Sequence, residues 1–136
     1  FQAEKQNIKL QFAKKLDKII KVKADKFRIR QVLVNLITNS IKYGKNGGKT
    51  SISINQFNEQ LIIEVRDNGI GIDEKHLPRL FERFYRVDKG RSREQGGTGL
   101  GLAIVKHIIE AHNETIDVTS IKGKETVITF TLKRVG

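Results

Sequence analysis

Between Lys26 and Lys42 the residues Arg28, Gln31, Asn35, Asn39 and Lys42 recur at three- and four-residue spacings. At ~100° per residue they fall within an arc of roughly 80° on one helix. The stripe holds two asparagines and no carboxylate. An ordinary solvated face would mix lysine with glutamate, and asparagine is a poor helix former. Two amides one turn apart suit a binding task instead. An amide oxygen fills one position on a hard metal ion, and its nitrogen donates to a phosphate.

Asp67-Asn68-Gly69-Ile70-Gly71-Ile72 follows an apolar alternation. An aspartate at a strand end can accept from an exocyclic amine such as N6 of adenine, and glycines let backbone approach a ligand closely. Taken alone, the hexapeptide reads as readily as a tight turn. Further on, Gly97, Gly99 and Gly101 alternate through Gly96-Gly97-Thr98-Gly99-Leu100-Gly101-Leu102 and run into a helix. A helix start offers free N–H groups and a positive dipole end, a seat for phosphate. No Gly-Lys-Ser/Thr follows, so this is not a Walker loop, and the spacing does not fit a dinucleotide fingerprint. A plain hinge would not explain glycine in the first helical turn, where it is costly.

These segments need elements to hold them. Asn7 to Phe12 and Lys18 to Ala24 alternate as strands. Asp25 is placed to cap a helix over Lys26 to Tyr43, with Ile29, Leu33, Leu36, Ile37 and Ile41 opposite the amide stripe as its core side. Thr50 to Gln56 and Gln60 to Arg66 read as strands joined at Phe57-Asn58-Glu59. A short helix follows around Glu74 to Arg83, then a polar, glycine-bearing loop over Asp88 to Thr98. Leu100 to Ala111 is a second long helix, and Thr115 to Ser120 and Thr126 to Leu132 are strands flanking Lys122-Gly123-Lys124. Adjacent strands meeting as hairpins between helices predict an α+β fold, with a mixed sheet of about five strands and about three helices on one face.

The 136 residues suffice for one domain with a real core. The absence of cysteine excludes disulfides, thiol catalysis and thiolate zinc sites. No apolar run is long enough to span a bilayer and no signal peptide opens the chain. With no methionine, even at position 1, the chain reads as a domain from a longer product. Lysine plus arginine number 26 against 15 acidic residues, a formal charge of +11. Such a surplus suits nucleic acid, an anionic membrane or a nucleoside triphosphate alike.

In combination and in this order the segments resemble the sensor histidine kinase catalytic domain of the GHKL superfamily, over nearly the whole chain. Asp25 to Tyr43 is similar to the N box, Asp67 to Ile72 to the first glycine box, Leu80 to Arg86 to the F box and Gly97 to Lys106 to the second glycine box. The phosphate-regulation type of sensor kinase is the nearest in pattern. Ser40 stands where alanine is usual. The resemblance implies a two-layer α/β sandwich, the Bergerat-type ATP-binding fold, as one domain over residues 1–136, with ATP and Mg2+ as cofactors. It makes Asn39 the metal ligand, supported by Asn35, and puts Lys42 on phosphate and Tyr43 near the adenine. Asp67 would take the adenine amine, with Gly69, Gly71 and Ile72 around the base. Phe84, Tyr85 and Arg86 would begin a lid reaching Thr98, and Gly97, Gly99, Leu100, Gly101 and Leu102 would seat the phosphates.

Hydrolysing members of the superfamily carry a glutamate one turn before the metal asparagine, as general base for water. Here that position is Asn35, an amide without useful basicity. Slow hydrolysis is therefore expected, with the γ-phosphoryl group held for another acceptor by positioning and charge neutralisation. Lid cations such as Arg86, Lys89, Arg91 or Arg93 would add to Lys42 and magnesium. His76, His107 and His112 lack the His-Glu/Asp-x-Arg context of a phosphate-accepting histidine. The acceptor then belongs to a separate dimerisation domain. The resemblance further implies a response regulator as the downstream partner, and a parent protein anchored in the bacterial inner membrane with this domain on the cytoplasmic side. A non-catalytic nucleotide module and a nucleic-acid binder are the rival readings. Nucleic acid is not an expected partner, because the aromatics fall at strand, F-box and core positions rather than among the basic residues.

Overall fold

The structure, a computed structural model, describes residues 9–14, 22, 24–42, 44, 47–85 and 101–134. Asp25 caps the first long helix: its Oδ1 accepts from the N–H groups of Phe27 (3.0 Å) and Arg28 (3.2 Å). That satisfies two of the donors a helix start leaves unpaired. The helix, α1, is Lys26–Lys42. Tyr43, expected as its last residue, lies outside the described residues.

Strands β1 (Lys9–Lys14), β2 (Lys49–Phe57), β3 (Gln60–Asp67), β4 (Ile116–Ile121) and β5 (Glu125–Lys133) lie, among the described residues, in the order β1-β2-β3-β5-β4. β2, β3, β5 and β4 are antiparallel neighbours, and β1 runs parallel to β2. The hairpins turn through Asn58 and Gly123, which take left-handed φ angles of 57° and 81°. Of the strand expected over Lys18 to Ala24, Val22 bridges to Arg134 and Ala24 is a bend. The rest of it lies outside the described residues.

Period-two alternation gives the sheet one buried face. Leu61, Ile63 and Val65 of β3 pair in register with Leu132, Phe130 and Ile128 of β5, and all six are buried. Helix α1 lays Val32 and Leu36 over this face beside Val105, Ile108 and Ile109 of the second long helix, α2 (Gly101–Ala111). Of the core side expected on α1, Leu36 and Ile41 are buried and Ile29 and Leu33 pack against the core. Val32 and Ser40 are buried with them, while Phe27, Arg30, Val34 and Thr38 face solvent. Burial of Val32 brings the core up to the amide stripe, so Gln31, Asn35, Asn39 and Lys42 are half-buried while Arg28 is exposed, and Asn35 reaches α2.

The short helix expected over Glu74 to Arg83 is a 3-10 helix over Glu74–Arg79 followed by turns. Pro78 has no N–H to complete an α-type bond. The segment is held instead by three-residue bonds from His76 N to Asp73 O (2.9 Å) and from Leu80 N to Leu77 O (3.3 Å).

Candidate functional site

Asp67 ends β3 on the buried face and is only 7 % exposed. It sits in a row of polar residues paired in register across four strands: Thr50 of β2, Asp67, Thr126 of β5 and Ser120 of β4. Its Oδ1 accepts from Gly69 N–H at 3.0 Å. Burial pushes its pKa up from 3.8 to about 6; the Gly69 bond opposes the rise and the neighbouring Glu125 charge adds to it. Buried Asp67 is thus costly to ionise unless a further donor reaches it.

The rest of the row is joined by hydroxyls. Thr126 Oγ1 lies 2.8 Å from Ser120 Oγ, which donates to Glu125 O (2.7 Å) and accepts from Ile72 N–H (2.7 Å). On the other side, Thr50 Oγ1 lies 3.1 Å from Ser40 Oγ, which donates to Ile37 O at 2.8 Å. Sequence reasoning did not find Thr50, Thr126 or Ser120, and it took Ser40 as a small-for-small exchange. A signal was present. Thr50 and Thr126 hold the same strand phase as Ile52, Ile54, Ile128 and Phe130, so they are polar residues at core-facing positions.

The Asp67–Ile72 loop is fastened at both ends. Asn68 exchanges bonds with Lys49, its Oδ1 accepting from Lys49 N (2.6 Å) and its N–H donating to Lys49 O (3.1 Å). Gly123 N–H donates to Ile70 O at 2.6 Å. Gly71 has a φ of 70°, and a Cβ there would stand 2.3 Å from Ile121 O. The close approach at Gly71 is to the chain's own backbone at Ile121, Lys122 and Gly123. Ile72 is buried beneath the loop.

Ser40 follows Asn39 directly, so the amide helix reaches the Asp67 row through the Ser40–Thr50 contact. It also reaches the start of α2, where Asn35 Nδ2 donates to Gly101 O at 3.4 Å. Asn39 is half-buried, and its amide makes no hydrogen bond to another described residue. Lys42 is half-buried in the last turn of α1. The structure thus brings Asn35, Asn39, Asp67, Gly69 and Gly101 to adjoining elements. Leu102 packs against the core. Tyr43, Arg86, Gly97, Thr98, Gly99 and Leu100 lie outside the described residues. Phe84 is exposed with a φ of 65°. Tyr85 packs on the 3-10 helix, bonded to His76 Nδ1 and lying under the Arg79 guanidinium at 4.5 Å. No hydrogen bond or ring contact ties either residue to Asp67 or the asparagines among the described residues.

No group of three or more His, Cys, Asp or Glu among the described residues could hold a metal by itself. The donor set suits a hard cation that arrives with its own anionic ligand and needs one neutral amide oxygen from the protein. Of the histidines, His107 is exposed. His112 fastens α1 to α2: Nε2 accepts from Asp25 N–H (3.0 Å) and Nδ1–H donates to Ile108 O (2.8 Å).

Residues 24–136 match the family described as histidine kinase-, DNA gyrase B- and HSP90-like ATPase. The sensor histidine kinase WalK of Bacillus subtilis is 51% identical over 118 residues, which are 85% of this chain and 19% of WalK. The phosphate regulon sensor protein PhoR of Pseudomonas aeruginosa is 42% identical over 110 residues, 81% of this chain and 25% of PhoR. The chain therefore spans about a fifth to a quarter of the length of these relatives. The catalytic domain of histidine kinase ThkA superposes with a TM-score of 0.81 at 29% identity, covering 97% of this chain and 82% of that one. ThkA has also been solved in complex with the response regulator protein TrrA, and that chain superposes with a TM-score of 0.77 at 27% identity, covering 98% of this chain and 36% of that one. With Asp67, the amide helix and the start of α2 arranged as above, the chain belongs to the histidine kinase-, DNA gyrase B- and HSP90-like ATPase family, in the form carried by sensor histidine kinases.

Proposed function

We propose that the chain binds Mg-ATP and supplies its γ-phosphoryl group to a histidine on a separate dimerisation domain of a two-component signalling kinase. The observation that carries this is Asp67, a buried carboxylate at a strand end with a single backbone donor, one hydroxyl contact away from the amide helix. An incoming adenine amine supplies the donor that the carboxylate lacks. Asn39 is the protein's ligand to magnesium, and Asn35 holds the amide helix against the start of α2. Lys42 faces phosphate, with Tyr43 beside the base and the segment from Phe84 through Arg86 to Thr98 as the lid. Gly97, Gly99, Leu100, Gly101 and Leu102 carry the phosphates at the positive end of α2. When bound, magnesium neutralises phosphate charge and orients the γ-phosphoryl group. Asn35 cannot draw a proton from water, so hydrolysis is slow and the group awaits an imidazole.

WalK is more similar than PhoR, so kinship with the phosphate-regulation type rests on pattern alone. A response regulator is the downstream partner by analogy with ThkA and TrrA. Anchoring of the parent protein in the inner membrane, with this domain on the cytoplasmic side, rests on kinship with sensor kinases.

The test is a magnesium-dependent ATP titration of wild type and Asp67→Asn. Loss of a hydrogen bond to a charged group predicts affinity weaker by about tenfold or more. Equal affinities would refute the assignment. With labelled ATP the chain should remain unlabelled alone and transfer label to an added dimeric domain carrying the acceptor histidine.

A further inference from the structure

Four hydroxyls flank Asp67, and each has a single proton to place. The Ile37 carbonyl can only accept, so the Ser40 proton goes there and the Thr50 proton goes to Ser40. The Glu125 carbonyl likewise takes the Ser120 proton. Ser120 then accepts from both Ile72 N–H and Thr126. Both threonines are direct cross-strand neighbours of Asp67 on the same buried face, about 5 Å away at Cβ in such pairs. Neither gives Asp67 its proton. Both chains of donation run outward, and Asp67 is left between two oxygens that present lone pairs.

We infer that Ser40 is a positioning residue for base selection. By accepting the Thr50 proton it keeps the row around Asp67 free of internal donors, so the carboxylate is reserved for a base that brings an amino group. This rests on the adenine reading of Asp67 and extends it to a residue that reaches Asp67 through Thr50. A base with a carbonyl in the amine's place offers acceptor against acceptor and is refused. The raised pKa of Asp67 agrees with a carboxylate that two adjacent hydroxyls do not serve.

The experiment compares affinity for ATP with affinity for inosine triphosphate, which carries a carbonyl where ATP has its amine. In Ser40→Ala the Thr50 proton loses its acceptor and turns onto Asp67, competing with the adenine amine. The ratio of ATP to inosine triphosphate affinity should fall about fivefold, through weaker ATP binding. Ser40→Cys, a poor acceptor of similar size, should do the same without opening a cavity. The double variant Ser40→Ala/Thr50→Val has no proton to misdirect and should recover the wild-type ratio. A packing defect would weaken both nucleotides equally and leave the ratio unmoved. If wild type prefers ATP and the ratio is unmoved in Ser40→Ala and Ser40→Cys, or is not recovered in the double variant, the inference is overturned while the reading of the site stands. Wild type that binds no ATP would overturn both.

Discussion

At the scale of single residues, Asp67 is under two opposed demands. Binding an amine requires the carboxylate, while burial favours the neutral acid. Its folded pKa of about 6 lies above the ordinary 3.8, so the folded chain holds that proton more tightly than the unfolded chain does. The stability this contributes is complete below 3.8 and is lost as pH rises through about 6. Lowering the pH from 7 to 5 should therefore weaken ATP binding, read by titration. Over the same range it should raise the melting temperature of wild type relative to Asp67→Asn. At pH 7 the Asn variant should melt higher than wild type by on the order of 5 °C, because the site spends stability on an ionised group.

At the scale of elements, the strand-end loop depends on the second hairpin. A Cβ at Gly71 would overlap the Ile121 carbonyl and sit at a left-handed φ, whereas Gly123, at a similar φ, has open space around it. Gly71→Ala should cost about 2 kcal/mol or more and Gly123→Ala about 1 kcal/mol, measured by urea unfolding. Much of this scale was legible in the sequence. Asp25 as a cap, both hairpins and the strand-end position of Asp67 follow from local pattern, because caps and turns are settled by neighbouring residues. What depends on distant partners was not legible. Gly71 answers to residues fifty positions on, and Ser40 acquires its meaning only from Thr50 on the strand beneath it. The core side of α1 is wider than expected for the same reason: Val32 and Ser40 are buried beside Leu36 and Ile41 because the helix meets both the sheet and α2.

The whole molecule carries a formal charge of +11, and among the described residues no helix is long and apolar enough to cross a membrane. A net positive field draws a polyanionic ligand inward and is screened by salt. The association rate of Mg-ATP should fall several-fold between roughly 10 mM and 300 mM salt, read by stopped flow, with a smaller change in dissociation. That field acts on the whole surface. The two long helices are held more locally, at Asp25–His112 and at Asn35–Gly101, ten and eleven residues apart along α1 and α2. At ~1.5 Å per residue these are rungs about 15 Å apart on rails of nearly equal length.

The first rung has a chemical corollary. An imidazole can attack phosphorus only through a nitrogen with a free lone pair. His112 gives the lone pair of Nε2 to the Asp25 amide and keeps Nδ1 protonated toward Ile108. Making it a nucleophile would mean releasing the Asp25 amide and giving up one of the two rungs between the helices. The domain thus carries, at the far rung and about 15 Å from Asn35 and Gly101, a histidine whose lone pair is already committed.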